Sequence, residues 1–559
     1  MIHEENNRLP AEQAAPTETV FADAVQHHQG GRLDEAAASY QCAIAIQPHN
    51  PSAFYNLGIV RLQQGRIEEA AASFESALGL MPNNPDANYN LGIARLQQER
   101  FAEAVGFFHR AIDLQPENRH AYTNMGISFY RLGRTDEAAL CWRNAIFLAP
   151  SAPESYSNLG TALAKLRQPD EAIACYRTAI GLKPDFPDAY NNLGVTLRGE
   201  GRLDEAMACF RSAIAIQSDY PEGHLNLGMA LLSRGEMASG WEEYEWRWRM
   251  PINAGHDRKY RQPRWRGEAA EGRTLLIHAE QGYGDTLQFC RYAKLASARG
   301  LRVIMHVQQP LVRLLRGLSG TDQVVDLSRE LTTFDLECPM LSMPLATWTE
   351  GATIPSNLAY LHADEALVEF WRTRLSAIAS PDLPRIGLVW EGNERHHSPI
   401  VTASDFLRTI SPEQLAPLLE VSGVQFFSLQ KDGSIAPKNF PLTDFMDEME
   451  DFADTAALIA NLDLVISVDT AVAHLAAGLG KPVWMLAPFV PCWRWFFDRR
   501  DSPWYPTLRL YRQPRPGDWD TVLAEVVQDL HGFARPRNPP GRFRHVDSIA
   551  SSGSRHQSD

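Results

Sequence analysis

The sequence is poor in cysteine and has no paired cysteine motif. Its seven cysteines include no Cys-x-x-Cys pair, so the sequence predicts neither a zinc site of the usual kind nor a disulfide framework. No run of about 18 apolar residues is present, so no membrane-spanning helix is predicted. The polar start from Met1 to Pro10 lacks the apolar stretch of a secretory signal. We therefore expect a cytoplasmic protein.

Basic residues are also in the minority. Aspartate and glutamate number 68 against 53 lysines and arginines, which gives a formal net charge of −15. Nucleic acids and anionic membranes both attract a basic surface, so neither is predicted as a partner. The 559 residues, 44% of them hydrophobic, are too many for one domain and predict two or three.

A 34-residue repeat is the strongest pattern in the amino-terminal half. A glycine, replaced in two units, marks this spacing at Gly31, Gly65, Glu99, Gly133, Arg167, Gly201 and Gly235. An aromatic residue follows nine positions later, at Tyr40, Phe74, Phe108, Trp142, Tyr176, Phe210 and Tyr244. This pattern resembles tetratricopeptide repeats, whose paired helices bury their apolar faces by stacking on the next pair. It predicts an α-solenoid over residues 17–250 that holds a protein or peptide, after a flexible start at 1–16.

The seventh unit departs from the repeat. Trp241, Tyr244 and Trp248 are spaced to share one face of a helix. This spacing favours a hydrophobic cap that docks onto the following domain, and a platform on which a sugar ring stacks is the alternative. Residues 251–272, with their charges, prolines and glycines, predict a connector.

An asparagine recurs in the first helix of six successive units, at Asn56, Asn90, Asn124, Asn158, Asn192 and Asn226. Asparagine is a mediocre helix former, and its amide offers both a donor and an acceptor to an extended peptide backbone. Duplication of a helix–helix hydrogen bond along the array explains the pattern equally well. The Asn-Leu-Gly strings resemble those of O-linked N-acetylglucosamine transferases, where such a ladder lines the groove that holds the acceptor polypeptide. That resemblance implies a peptide groove.

From Arg273 onwards, short apolar strands alternate with helices. Strands are predicted at residues 274–278, 302–307, 385–390, 424–429, 462–467 and 482–486. Such alternation predicts an α/β fold with parallel sheets. Two series of this kind imply two facing Rossmann-like lobes, at 273–360 and 385–533, joined by an inter-lobe segment at 361–384. The tail at 534–559 is predicted to be disordered.

Two loops at the carboxyl ends of predicted strands hold the candidate site. The first contains two glycines that permit close approach to a ligand, and an aspartate, at Gly282, Gly284 and Asp285. A helix cap is the alternative interpretation of that aspartate. In the second loop, Asp469 or Thr470 is expected to cap a helix whose free N–H groups face a phosphate. His474 follows one turn later, and a histidine alone there is typical of a hydrophobic core.

Together with Gly-Leu-Val-Trp-Glu-Gly-Asn at 387–393, these loops resemble ADP-heptose lipopolysaccharide heptosyltransferases, metal-independent enzymes with two facing Rossmann lobes (a GT-B-like fold). The resemblance covers about residues 273–530 and implies that Asp285 is the general base for the acceptor hydroxyl. Lys431 directly follows a predicted strand, where it would place a cation against the departing diphosphate. The implied nucleotide-sugar site comprises Gly282, Gly284, Asn393, Arg408, Gln430, Lys431, Asp469, Thr470 and His474.

Two residues depart from the pattern of that family. Ala471 replaces a usual glycine, and Glu391 places a negative charge where a small residue is usual. The string Asp518-Trp519-Asp520 matches a metal-binding pattern of other glycosyltransferases, but it opens the last predicted helix and is interpreted as a helix cap. We therefore predict a glycosyltransferase without metal or cofactor, which uses a nucleotide-diphosphate sugar and a protein acceptor held by the solenoid. A non-catalytic adaptor with vestigial lobes is the alternative.

Overall fold

The structure, a computed structural model, describes residues 11–253, 260–331, 333–356, 358–392, 409–431 and 440–534. The predictions for Asn393, Arg408, residues 1–10 and the tail from residue 535 concern residues outside these ranges. The chain forms two compact units, Met1–Ala230 and Leu231–Asp559.

The first unit consists of paired helices, as the repeat predicts. The first helix begins at Ala11, inside the segment 1–16 that was predicted to be flexible. The helices are α1 (Ala11–Gln29), α2 (Leu33–Ile46), α3 (Pro51–Gln63), α4 (Ile67–Leu80), α5 (Pro85–Gln97), α6 (Phe101–Leu114), α7 (Arg119–Arg131), α8 (Thr135–Leu148), α9 (Pro153–Lys165), α10 (Pro169–Leu182), α11 (Pro187–Gly199), α12 (Leu203–Ile216) and α13 (Pro221–Arg234).

Local sequence sets where these helices begin. Asn50 caps α3 by accepting a hydrogen bond from the Ala53 N–H at 3.2 Å, and Asn84 caps α5 in the same way. The recurrent glycines lie in the turn between paired helices with positive φ, which glycine adopts without strain. Glu99 and Arg167 replace glycine there and adopt φ values of 58° and 59°.

A second set of glycines makes room for the aromatic residues of the repeat. A Cβ atom added to Gly92 in α5 would lie 2.7 Å from the ring of Phe108 in α6. Phe108 is fully buried, so its ring has little space to move. A glycine in the first helix and an aromatic residue in the second therefore fit together as a pair.

Substituting Gly92→Ala is expected to destabilise the solenoid by about 1–3 kcal/mol, because the methyl group overpacks the site. Gly106→Ala, in the same repeat, is the matched control, since a Cβ there meets no atom within 4 Å. It should stabilise α6 by about 0.5–1 kcal/mol through higher helix propensity. Thermal unfolding of the two variants measures both effects, and equal midpoints would contradict the packing argument.

In the described residues of the second unit, the strands form two sheets and every strand pair is parallel, as the sequence predicts. One sheet has the order β3-β2-β1-β4, and the other has the order β10-β9-β8-β5-β6-β7. A GT-B arrangement of the two sheets remains a prediction. The strands are β1 (Thr274–His278), β2 (Arg302–Val307), β3 (Gln323–Asp326), β4 (Leu336–Pro339), β5 (Arg385–Val389), β6 (Gln425–Ser428), β7 (Leu442–Asp444), β8 (Leu464–Val468), β9 (Val483–Ala487) and β10 (Leu508–Arg512).

Helices flank the strands of the second unit. Their apolar residues pack with those of the strands; for example, Val526 lies in the same buried cluster as Ile386 and Leu464. The helices are α14 (Met237–Tyr244), α15 (Tyr283–Phe289), α16 (Ala293–Ser297), α17 (Gln309–Leu315), α18 (Met343–Ala346), α19 (Glu365–Ile378), α20 (Ala416–Leu419), α21 (Phe452–Ala460), α22 (Ala471–Gly478) and α23 (Trp519–Phe533).

The degenerate seventh repeat, which contains Trp241, packs against the strands and helices of the α/β region. The Trp241 ring meets Trp493 edge-on, with centroids 5.1 Å apart, and lies 6.3 Å from Phe289. This confirms the hydrophobic-cap interpretation. Trp248 does not continue the face of α14, because the α-helix ends at Tyr244 and a 3-10 helix follows. These contacts explain why the second unit begins at Leu231, before the sequence-based boundary at residue 250.

Candidate functional site

Asp285 lies at the start of α15, directly after the carboxyl end of β1. Gly282 is the N-cap residue, and its N–H donates to Asp285 Oδ2 at 3.0 Å. The aspartate is therefore not the cap residue itself but closes the first turn from inside the helix. Asp285 Oδ1 accepts a hydrogen bond from Arg494 Nη2 in a buried ion pair.

Arg494 was not among the predicted site residues. Its Nε atom donates to Gln288 Oε1 at 2.8 Å, and its guanidinium lies 4.2 Å from the Trp493 ring centroid. Burial lowers the pKa of Arg494, but its contacts with Cys492 and Asp285 outweigh burial and raise this pKa above its usual value. The side chain therefore remains a cation next to Asp285. It lies in the loop that follows the carboxyl end of β9.

His474, on α22, lies next to the loop of Asp285. A Cβ atom on Gly284 would lie 2.9 Å from His474 Cδ2, so this glycine permits the close approach of α15 and α22. His474 Nδ1 forms a 2.8 Å hydrogen bond with Tyr505 Oη, and the imidazole stacks on Trp495. The fold thus brings the two predicted loops together.

Thr470 occupies the N-cap position of α22, as expected, but its side chain makes no capping hydrogen bond. Its hydroxyl instead pairs with Ser467 Oγ at 3.0 Å. Asp469 Oδ1 lies 3.8 Å from His474 Nε2. Neither predicted side chain therefore caps the first N–H groups of α22.

Gln430 and Lys431 follow β6, as predicted. Gln430 Oε1 accepts hydrogen bonds from the N–H groups of Trp390 and Glu391, at 3.2 and 3.0 Å. The Lys431 ammonium donates to the Met449 carbonyl. Its placement against a diphosphate therefore stays a prediction.

The asparagine ladder makes hydrogen bonds between successive repeats. All six asparagines are half-buried. Three donate from Nδ2 to a side chain about one repeat earlier: Asn90 to Tyr55 at 3.1 Å, Asn124 to Tyr89 at 3.1 Å and Asn226 to Asn191 at 2.9 Å. These are helix–helix bonds of the kind that the alternative interpretation requires, and the peptide groove stays a prediction.

Asp518 is a helix cap, as interpreted from the sequence. Its Oδ1 accepts from the Thr521 N–H at 3.1 Å. Within the described ranges, no group of three or more His, Cys, Asp or Glu side chains is arranged to hold a metal ion. No helix in the described part of the chain is long and apolar enough to cross a membrane.

Acidification is expected to destabilise the second unit through His474. Burial first, and then the positive charge of Arg494, lower the pKa of His474 from 6.5 to about 3. The unfolded chain takes up this proton near pH 6.5 and the folded chain does not, so stability falls as pH falls between these values. The loss is about 1.4 kcal/mol per pH unit. Urea unfolding across this range measures it, with His474→Gln as the comparison; equal pH dependence in both proteins would contradict the assignment.

Comparison with known proteins assigns the amino-terminal repeats. Tetratricopeptide-repeat profiles match residues 26–65, 55–119, 123–185 and 157–221. The solenoid is a tetratricopeptide-repeat array. The profile of glycosyltransferase family 9 (heptosyltransferase) matches residues 444–486, a range that includes Asp469, Thr470 and His474 but not Asp285.

One curated relative resembles a large part of the chain. Protein FlbA of Caulobacter vibrioides is 25% identical over 328 residues, which cover 54% of this chain and 53% of FlbA. The chain thus spans about half the length of that relative.

Two similar solved structures are tetratricopeptide-repeat proteins. YrrB, described as a TPR protein with an unusual peptide-binding site, is 24% identical over 34% of this chain and 97% of its own, with a TM-score of 0.31. A tetratricopeptide-repeat protein from Parabacteroides merdae is 16% identical over 44% of this chain and 94% of its own, with a TM-score of 0.37. These likenesses imply nothing about the function of this chain.

Proposed function

We propose that the chain is a glycosyltransferase that moves a sugar from a nucleotide-diphosphate donor to a protein acceptor held by the solenoid. The observation that carries this proposal is the glycosyltransferase family 9 match over residues 444–486. It includes the loop before α22, and α22 packs against the loop that holds Asp285. Two loops at strand ends, one from each sheet, are where α/β proteins bind nucleotides.

In the proposed reaction, the donor diphosphate lies at the start of α22, where backbone N–H groups and the helix dipole favour an anion. The acceptor oxygen forms a new bond to the anomeric carbon while the bond from that carbon to the diphosphate oxygen breaks. The nucleoside diphosphate leaves with the electron pair, and Asp285 takes the acceptor proton. Lys431 stabilises the departing diphosphate, as its position after β6 suggests.

The repeats support a protein acceptor. Tetratricopeptide arrays bind polypeptides, and a half-buried asparagine recurs at the same position of six successive repeats. An amide recognises a peptide backbone through hydrogen bonds that do not depend on the side chains of the peptide. The solenoid would therefore accept more than one sequence.

The adaptor remains a second candidate because of one observation. Both carboxylate oxygens of Asp285 already accept hydrogen bonds, one from Gly282 and one from Arg494, and the side chain is 10% exposed. A carboxylate that already accepts two hydrogen bonds can accept the proton of an acceptor hydroxyl only through its remaining lone pairs. In an adaptor the same ion pair would serve only to join two parts of the fold.

Calorimetry of the full chain with UDP, ADP and GDP separates the two functions. Wild type is compared with Thr470→Ala/His474→Ala and with the control Thr178→Ala, at a solenoid threonine whose hydroxyl donates to the Ala174 carbonyl of its own helix. We expect one nucleotide to bind wild type and control with similar affinity, and to bind the double variant at least about tenfold more weakly. Absence of binding by all three nucleotides to the folded wild type would establish the adaptor instead.

A further inference from the structure

Arg494 links two parts of the second unit that are far apart in sequence. It follows β9 of the six-stranded sheet, whereas its partners Asp285 and Gln288 lie on α15, after β1 of the four-stranded sheet. Arg494 is 7% exposed, and Gln288 is fully buried. The third nitrogen of the Arg494 guanidinium, Nη1, donates to Cys492 Sγ at 3.0 Å.

The guanidinium is itself held in one orientation. Gln288 fixes the Nε edge, and the Trp493 ring lies against the face of the group. The Gln288 Nε2 atom is buried without a hydrogen-bond partner in the described part of the chain, so Arg494 accounts for the orientation of this amide. Because Gln288 and Trp493 hold the planar guanidinium at one edge and at its face, its other edge points towards Asp285 in a defined direction.

Asp285 is thereby held from both sides. Gly282 donates to Oδ2 from the helix start, and Arg494 donates to Oδ1 from the other sheet. A carboxylate has about four lone-pair sites, so each oxygen keeps the capacity to accept one further hydrogen bond. Two fixed donors leave the carboxylate one rotamer in which to meet a substrate hydroxyl.

Stability alone gives a weak explanation for this ion pair. Desolvation of two buried charges offsets most of their attraction, so apolar residues of similar size stabilise a fold equally well. The electrostatic surroundings also include a second buried cation, Arg291, which lowers the pKa of His474 together with Arg494. Asp285 thus lies between the Gly282 N–H and the Arg494 cation, and the Asp469 carboxylate lies on the other side of this site, 3.8 Å from His474.

We propose that Arg494 is a positioning residue for Asp285 in the transfer reaction, which rests on the proposed function of this site. Arg494 does not touch the donor; it keeps the Asp285 carboxylate aimed at the oxygen that attacks the anomeric carbon. Lysine replaces the charge of Arg494 but cannot bridge Gln288 and Asp285 at once. The conservative variant therefore restores part of the function.

A double-mutant cycle on the full chain tests this role. The readout is release of nucleoside diphosphate from UDP-, ADP- and GDP-sugars with water or a peptide as acceptor, together with calorimetry of the free nucleotides. The variants are Arg494→Met, Arg494→Lys, Asp285→Asn and Arg494→Met/Asp285→Asn. Arg500→Met, at an arginine whose side chain is 74% exposed and pairs with Glu525, is the control.

Arg494→Met is expected to lower kcat by about 100-fold, because the base loses its alignment, with KM for the donor sugar and nucleotide affinity unchanged. Arg494→Lys should fall between wild type and Arg494→Met. The double variant should lose no more activity than Asp285→Asn, since Arg494 acts only through Asp285. The double variant also removes the unpaired buried charge, so it keeps the test possible if Arg494→Met does not fold.

Three results would overturn the inference while leaving the proposed function intact. The first is a wild-type kcat in Arg494→Met when Asp285→Asn has lost activity. The second is a raised KM with unchanged kcat, which would place Arg494 on the donor. The third is a further loss in the double variant beyond Asp285→Asn. A wild-type protein that neither binds a nucleotide nor turns over a donor would overturn the proposed function and this inference together.

Discussion

A chain that begins at Arg273 is expected not to fold, whereas a chain that begins at Pro221 forms the α/β unit. The shorter chain lacks Trp241, whose ring is 2% exposed and contacts Trp493 and Phe289. Loss of a buried tryptophan of this kind removes about 3–5 kcal/mol. Loss of Arg247 would leave Glu280 as an unpaired buried charge, at a similar cost of about 3–5 kcal/mol. Together these losses approach the whole stability of a typical domain, about 5–15 kcal/mol.

Circular dichroism in the near ultraviolet and limited proteolysis measure this difference between the two chains. Trp241→Ala in the full chain is the companion variant, and it should lower the stability of the second unit without changing the solenoid. If the shorter chain unfolds cooperatively with the same unfolding midpoint as the longer chain, the seventh repeat does not stabilise the α/β region.

Arg247→Met is expected to lower the stability of the second unit by about 3–5 kcal/mol. Arg247 is 1% exposed and forms two hydrogen bonds with Glu280, each of 3.0 Å. It also donates to Glu245 Oε1 at 2.6 Å and to Ser342 Oγ at 2.8 Å. Methionine fills most of the volume but leaves the Glu280 carboxylate, 3% exposed, without its counter-charge.

Adding Glu280→Gln to Arg247→Met should restore about half of that loss, because the second change removes the unpaired charge. The exposed neighbour Arg249→Met is the matched control and should change stability by less than about 1 kcal/mol. Urea unfolding followed by tryptophan fluorescence measures all three variants. An effect of Arg247→Met no larger than that of Arg249→Met would show that this buried network contributes little to stability.

Both functional proposals concern a site that the sequence revealed in part. The loops of Asp285 and His474 were predictable because glycines and polar residues at strand ends mark binding loops in parallel sheets. Arg494 gave no comparable signal, because an arginine between two tryptophans is equally typical of a surface loop. Asp285 and Arg494 are separated by 209 residues, and only folding shows that they pair.

The predicted secondary structure agreed best with the observed elements where a short local sequence pattern defines the element. Strands β1 and β2 have the predicted bounds. The ends of the other four predicted strands differ by one or two residues, because hydrogen-bonding partners on neighbouring strands decide where a strand ends. Strands β3, β4, β7 and β10 were not predicted. The helical segment at the first loop, α15, ends at Phe289 and is followed by a 3-10 turn at Cys290–Tyr292.

The sequence by itself determined the repeat period, the solenoid, the parallel sheets and the loops that hold the candidate site. These features depend on local spacing, which records the face of each helix or strand that is buried. Only the tertiary structure decided what covers each face: Trp493 covers Trp241, and Arg494 pairs with Asp285. Such contacts join residues far apart in the chain, and no local period encodes them, because packing and charge pairing depend on the complete fold.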